Sequence, residues 1–242
     1  MIDALGIDTA GCNGVAYWGV AKSHNVRFGA GRATISWGYQ DKWFPSNKQG
    51  MKDQGIHRFY YHILYPSQPF KPQAENFLRV VGDDWDDAHP VDDFELDQGC
   101  SKAQITDCIL GWNEYVSARA PKVVNYSRKQ WADTYTELGD WRRQYEWWLA
   151  QFLNDRSIED PRPPDLPVGV LTYLIHQNAD HYLAWPGFTP DSLNLDIDRW
   201  NGDDAAVDEY FGHGPVNPPA IWDHAITDWA RTLGYTGPEP EQ

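Results

Sequence analysis

Strand-like apolar runs recur along this chain and, through residue 140, alternate with segments of helical spacing. The runs are ALGID (4–8), VRFGAGRAT (26–34), IHRFYYHIL (56–64), HPVDDFEL (89–96), PKVVNYS (121–127), EWWLAQFL (146–153), VGVLTYLIHQ (168–177) and LNLDID (193–198). VAYWGVAKSHN, DKWFPSNKQGMKDQG, KPQAENFLRVV and SKAQITDCILGWNEYVSA separate the first five, and RKQWADTYTELG follows the fifth. Strands alternating with helical patterns of about 10–15 residues predict βαβ units and a parallel sheet. Past residue 140 the rhythm breaks: the links at 154–167 and 178–192 are irregular, the first rich in proline. Five β/α units followed by three strands without helices predict an α/β fold. It is a TIM-like barrel of eight strands with an incomplete helical coat, (β/α)5(β)3. The barrel is expected over 1–211. Residues 212–242 read as a C-terminal appendage, with one short helix (IWDHAITDWARTLG) before the linker-like end GPEPEQ.

A chain of 242 residues accommodates one such barrel and its core. With 20 basic against 35 acidic residues the net charge is -15. Nucleic-acid binding leaves a basic footprint, and an anionic membrane surface asks for the same, so neither is an expected partner. Thirteen Trp and 13 Tyr suit stacking on sugars or bases, although a large aromatic core has the same composition. Cys12, Cys100 and Cys108 are too few for a disulfide framework and are expected as thiols. The opening MIDALGID has no basic segment leading into an apolar run, so no signal peptide is expected and synthesis is cytoplasmic. No apolar stretch approaches the ~18 residues of a membrane span.

The chemistry concentrates in HPVDDFELD (89–97), where four carboxylates fall within six positions. Alternation along a strand puts Val91, Asp93, Glu95 and Asp97 on one face and Asp92, Phe94 and Leu96 on the other. Phe94 and Leu96 suit the helix side, which leaves Asp93 and Glu95 pointing into the barrel near its C-terminal end, where sites on this architecture are built. Same-face neighbours have Cα atoms about 6.6 Å apart, close enough for each carboxylate to raise the other's pKa. A proton donor beside an ionised partner is the equipment of glycoside hydrolysis. Asp8 ends the first strand and Asp196 lies on the last; those strands adjoin in a closed barrel, so both acids are expected to converge on Asp93 and Glu95.

In this ordered set the chain resembles glycoside hydrolase family 25, the lysozymes (N-acetylmuramidases). GIDTAG, RATISWGYQDKWFPSN, GIHRFYYHIL, HPVDDFE, VVNYS, WWLAQF and LDIDRWNG carry the likeness in order from residue 6 to about 202. The resemblance implies cleavage of the β-1,4 bond between N-acetylmuramic acid and N-acetylglucosamine in peptidoglycan. It implies Glu95 as general acid, Asp93 assisting the substrate's N-acetyl group, and Asp8 and Asp196 completing the cluster. Tyr61, Tyr126, Trp148, Arg32, Gln177 and His62 are the candidate sugar contacts, with core packing as the competing role for the aromatic residues and His62. No cofactor or metal is implied. Three positions depart from the family pattern: Asp92 where an apolar residue is usual, His176 for Trp, and Asp198 for Asn.

Two other readings stay open. Asp8, Asp93, Glu95, Asp196 and His62 are oxygen-rich enough to ligate Mg²⁺ or Ca²⁺ in a phosphodiesterase-like barrel. A barrel that only grips cell-wall glycan would leave the acids idle. The expected setting is the bacterial wall, reached as a phage or prophage endolysin, by a monomer. A chain of -15 is repelled by an anionic wall, so either a separate wall-binding module supplies affinity or the wall is close to neutral.

Overall fold

The computed structural model describes residues 3–152, 162–182 and 195–212. The expected appendage helix, the linker-like end and most of the Pro-rich link lie outside these residues.

The strands are β1 (Leu5–Thr9), β2 (Val26–Ile35), β3 (Tyr39–Gln40), β4 (His57–Ile63), β5 (Ala88–Asp93), β6 (Val124–Ser127), β7 (Glu146–Ala150), β8 (Ile175–Tyr182) and β9 (Leu195–Trp200). The helices are α1 (Trp18–Ser23), α2 (Phe44–Asp53), α3 (Phe70–Val81), α4 (Lys102–Ser117), α5 (Lys129–Tyr135) and α6 (Asp204–Gly212). Eight strands close a ring in the order β1-β9-β8-β7-β6-β5-β4-β2, sealed by the pairing of β1 with β2. β3 stands outside the ring as a hairpin partner of β2. This is the expected barrel, with five helices interleaved among its first strands.

Local chemistry sets the helix ends. Ser101 and Gln104 form a reciprocal capping box at the start of α4, each side chain satisfying the other's backbone N–H. α3 stops at Gly82, whose φ of 71° suits a residue without a Cβ. In β1, Gly6 makes room for a core ring: a Cβ there would lie 2.2 Å from Phe28.

Two features of the last strands differ from expectation. The seventh run, predicted over 168–177, shares only its last residues with β8. Residues 167–170 are instead a turn, held from below by Arg142 and Asp133. Asp133 accepts from the Val168 N–H, and the fully buried Arg142 guanidinium donates to the Val168 carbonyl. Second, β9 runs antiparallel to both β8 and β1, while every other ring pairing is parallel. Antiparallel neighbours can be joined by a short connection, whereas parallel ones need a crossover of about a dozen residues or more. Residues near the start of β9 therefore lie at the same mouth as the ends of the other strands.

The barrel interior is aromatic. Phe28, Phe59, Trp148 and Trp200 pack there, with Phe28–Trp200 at 5.5 Å and Phe59–Trp148 at 5.6 Å in edge-to-face contact. α6, absent from the sequence-based expectation, brings Tyr210 and Phe211 against Phe59 and Trp200. A larger layer between sheet and helices contains Phe77, Phe94, Trp112 and Trp147.

Candidate active site

Asp8, Asp93, Glu95 and Asp196 line one cavity of about 230 Å³ at the C-terminal mouth, together with Tyr61, Tyr126, Trp148 and Gln177. Asp8 and Asp196 face each other across the β1–β9 ladder. β5 ends at Asp93, but extended geometry continues one residue further. The Phe94 N–H donates to the Tyr126 carbonyl at 3.2 Å, and the Ser127 hydroxyl donates to the Phe94 carbonyl at 2.9 Å. That keeps Glu95 on the side of Asp93, while Phe94 is buried towards the helices and Leu96 is exposed.

The cavity carries its own wiring. The Tyr126 hydroxyl donates to Gln177 Oε1 at 2.8 Å, and Gln177 Nε2 donates to Asp8 Oδ2 at 2.7 Å. Deeper in, Trp148 Nε1 donates to Asp198 Oδ1 at 3.0 Å. Arg128 Nε donates to Glu95 Oε1 at 2.9 Å, from a side chain that is 55% exposed. Val91 lines the cavity on the face it was expected to share with Asp93 and Glu95, whereas sequence reasoning missed Arg128 and Phe152 in the lining. The available signal for Arg128 was its position immediately after the Asn-Tyr-Ser that ends β6.

Burial is the main influence on these acids. It pushes Asp93 up, reinforced by Glu95, Asp92 and Asp8 and opposed by Arg32. It pushes Asp8 up, reinforced by Asp196 and opposed by the hydrogen bond from Gln177. Glu95 is raised by burial against the opposing pull of Arg128. Asp198 is raised by burial and by Asp8 and Asp196, with the Trp148 hydrogen bond working the other way. On balance the cavity favours the protonated form of these carboxyl groups more than water does.

Two of the sequence candidates lie elsewhere. Arg32 is beside the cavity rather than in its lining and pairs with Asp41 at 2.9 Å. His62 is on the helix side of β4, fully buried. It lies 2.7 Å from Thr34 Oγ1 and 3.3 Å from Gln73 Oε1 and stacks on Trp112 at 5.3 Å. Burial lowers its pKa to about 3, so it is a neutral packing residue. Adjacent strand residues point to opposite faces, so Tyr61 at the mouth requires His62 behind the sheet.

Asp92 is the sharpest departure. A carboxylate facing the helices must find a hydrogen-bond donor or lie exposed to avoid the cost of burial, and this one does neither. It is fully buried, and both its oxygens lack a hydrogen-bond partner.

A closed β/α barrel with a cluster of carboxyl groups at its C-terminal mouth and an aromatic wall beside them carries the equipment of glycoside hydrolysis. The chain belongs to the glycosyl hydrolases family 25, whose family model matches residues 7–181. Its fold is similar to that of a bacterial lysozyme from Streptomyces coelicolor, with a TM-score of 0.73 and 23% identity over 85% of this chain and 95% of that one. A family 25 glycosyl hydrolase from Bacillus anthracis superposes with a TM-score of 0.71 at 18% identity, covering 88% of this chain and 94% of that one. The protein YegX of Escherichia coli CFT073 is 28% identical over 121 residues, 50% of this chain and 44% of YegX. The chain thus spans less than half the length of that curated relative.

Proposed function

We propose that this protein is an N-acetylmuramidase that hydrolyses the β-1,4 bond between N-acetylmuramic acid and N-acetylglucosamine in peptidoglycan. The observation that carries this reading is the shared cavity of Asp93 and Glu95, with Glu95 raised by burial so that it can hold a proton for the leaving group.

In the proposed reaction, protonated Glu95 gives its proton to the glycosidic oxygen as the C1–O bond breaks. The carbonyl oxygen of the substrate's own acetamido group attacks C1 and forms a cyclic oxazolinium. Asp93 accepts a hydrogen bond from the acetamido N–H and stabilises the positive charge that develops on it. Substrate assistance of this kind is a recognised alternative to a protein nucleophile. Water then attacks C1, loses its proton to the Glu95 carboxylate, and the ring opens to restore the acetamide. The Tyr126–Gln177–Asp8 relay holds Asp8 in place against Asp196, where the pair bounds the site and orients water or sugar hydroxyls. In this mechanism Arg128, whose side chain is 55% exposed, moves off Glu95 when the leaving-group sugar enters.

The proposed setting is the bacterial wall, with the chain acting as an endolysin. Among the described residues no helix is long and apolar enough to cross a membrane. Digestion of purified peptidoglycan, with and without chelator, tests the reading when new reducing ends are identified by mass spectrometry. N-acetylmuramic acid at the new reducing end, with chelator having no effect, is the expected result. New ends at N-acetylglucosamine would refute the assigned bond, and loss of activity with chelator would refute the carboxylate mechanism.

A further inference from the structure

A second, open depression of about 450 Å³ lies at the same end of the barrel, lined by Ile35, Ser36, Trp37, Gly38, Tyr39 and Tyr65. The muramidase reading makes no use of it. Trp37 is 58% exposed and Tyr39 46% exposed, an unusual display of aromatic surface in a chain of mean hydropathy -0.64. Contiguous exposed apolar surface can mark a binding site, whereas single exposed side chains need no explanation.

The β2–β3 hairpin that carries these rings is built rigidly. Ser36 sits at a φ of 55°, a left-handed conformation that costs a non-glycine residue energy and persists only when the surroundings enforce it. Here they do. The Ser36 N–H donates to the Ile63 carbonyl, and its hydroxyl donates to Gln68 Oε1 at 2.5 Å. Asn76, on α3, donates from one amide to the carbonyls of both Ser36 and Tyr39, at 3.2 and 3.1 Å. The tip of the hairpin is therefore clamped at both ends with its rings facing solvent.

Continuity with the cleft comes from Arg32. Its guanidinium lies 5.8 Å from the centre of the Tyr39 ring, and its charge acts on Asp8, Tyr61 and Asp93 in the catalytic cavity. Arg32 thus lies between the two depressions, outside the lining of each. No lining residue of the outer one is charged. Peptide stems of peptidoglycan bear carboxylates, and nothing in this lining would neutralise them. A pyranose offers a C–H face to an aromatic ring and hydroxyls to the rim, and it needs no counter-charge.

Resting on the muramidase reading of the cleft, we propose that Trp37, Tyr39 and Tyr65 form an outer subsite that holds an N-acetylhexosamine ring of the same glycan strand, beyond the sugars flanking the scissile bond. The pre-formed platform lets the strand be gripped without ordering a loop, so binding there favours long strands over short ones.

The test compares hydrolysis of long, amidase-stripped glycan strands with that of a tetrasaccharide of two disaccharide repeats. For Trp37→Ala, kcat/KM on the long strands is expected to fall roughly tenfold relative to the tetrasaccharide, the scale of one lost stacking contact. Trp37→Phe is expected to restore most of the ratio, and the exposed position makes loss of folding a poor explanation. An unchanged ratio in Trp37→Ala would overturn the subsite while leaving the muramidase reading intact. A loss seen only on strands that still carry peptide stems would overturn the sugar as occupant. Failure of the wild-type protein to cleave either glycan would instead overturn the reading on which the subsite rests.

Discussion

Glu95 is held between two opposing influences, and Arg128 is the adjustable one. Burial raises the carboxyl's pKa and the guanidinium at 2.9 Å lowers it. A general acid acts only while protonated, so the alkaline limb of the pH–rate profile reports its pKa. Removing Arg128 removes the depressing charge, and Arg128→Met is predicted to move that limb to higher pH, followed as kcat/KM across pH 4–9 (about the range that brackets a carboxyl tuned towards neutrality). A limb that stays in place or moves down would show that Arg128 does not govern Glu95. Asp92 makes a stability prediction with a definite sign. Its folded pKa is raised by burial above the unfolded value of about 3.9, so its contribution to stability is fully present below that pH. It is lost as pH rises through the folded value, because the ionised form is penalised only in the folded state. Asp92→Asn cannot ionise, and it is predicted to gain about 1–3 kcal/mol at pH 7 with little change at pH 4, as read from denaturant melts. Equal changes at both pH values would contradict the assignment. Asp93 and Glu95 could be placed from the alternation of one short strand. The partnerless state of Asp92 could not, because it depends on which α4 side chains lie above it.

At the level of elements, β1 and β2 show how a small motif residue serves the core. Gly6 opens the Gly-Ile-Asp segment that helps define the family likeness, and its missing Cβ is the space filled by Phe28. Phe28 cannot retreat easily, since Phe59, Trp148 and Trp200 surround it. Gly6→Ala is predicted to cost about 1–3 kcal/mol by overpacking, measured by chemical denaturation. A neutral effect would mean that the aromatic interior has slack. The element order was legible because the first five β/α units obey the simple alternation of periods. The seventh strand was misplaced for a physical reason: Val168, Val170 and Thr172 alternate like a strand, yet Arg142 and Asp133 capture the backbone at Val168 as a turn. That contact spans 26 residues between Arg142 and Val168 and leaves no local trace. α6 was missed because only Val207 of its nine residues is fully buried, so its apolar period is weak.

For the whole molecule, the net charge of -15 opposes approach to an anionic wall, and salt screens that repulsion over about 8–10 Å at moderate ionic strength. The rate on an anionic wall is therefore predicted to rise between about 10 and 150 mM salt, with a smaller effect on short glycan fragments that carry few charges. A rate that falls with salt on both would point to attractive charge contacts instead. The proposed mechanism centres on one assignment, Glu95 as the proton donor. Its most direct test is the turnover of Glu95→Gln on purified peptidoglycan beside the wild type, with a thermal melt of each. Loss of kcat by roughly a thousandfold or more with an unchanged melt is predicted, since the amide keeps the shape and cannot give the proton. Retention of kcat within about tenfold, a loss of only about 1.4 kcal/mol of barrier lowering, would contradict the assignment.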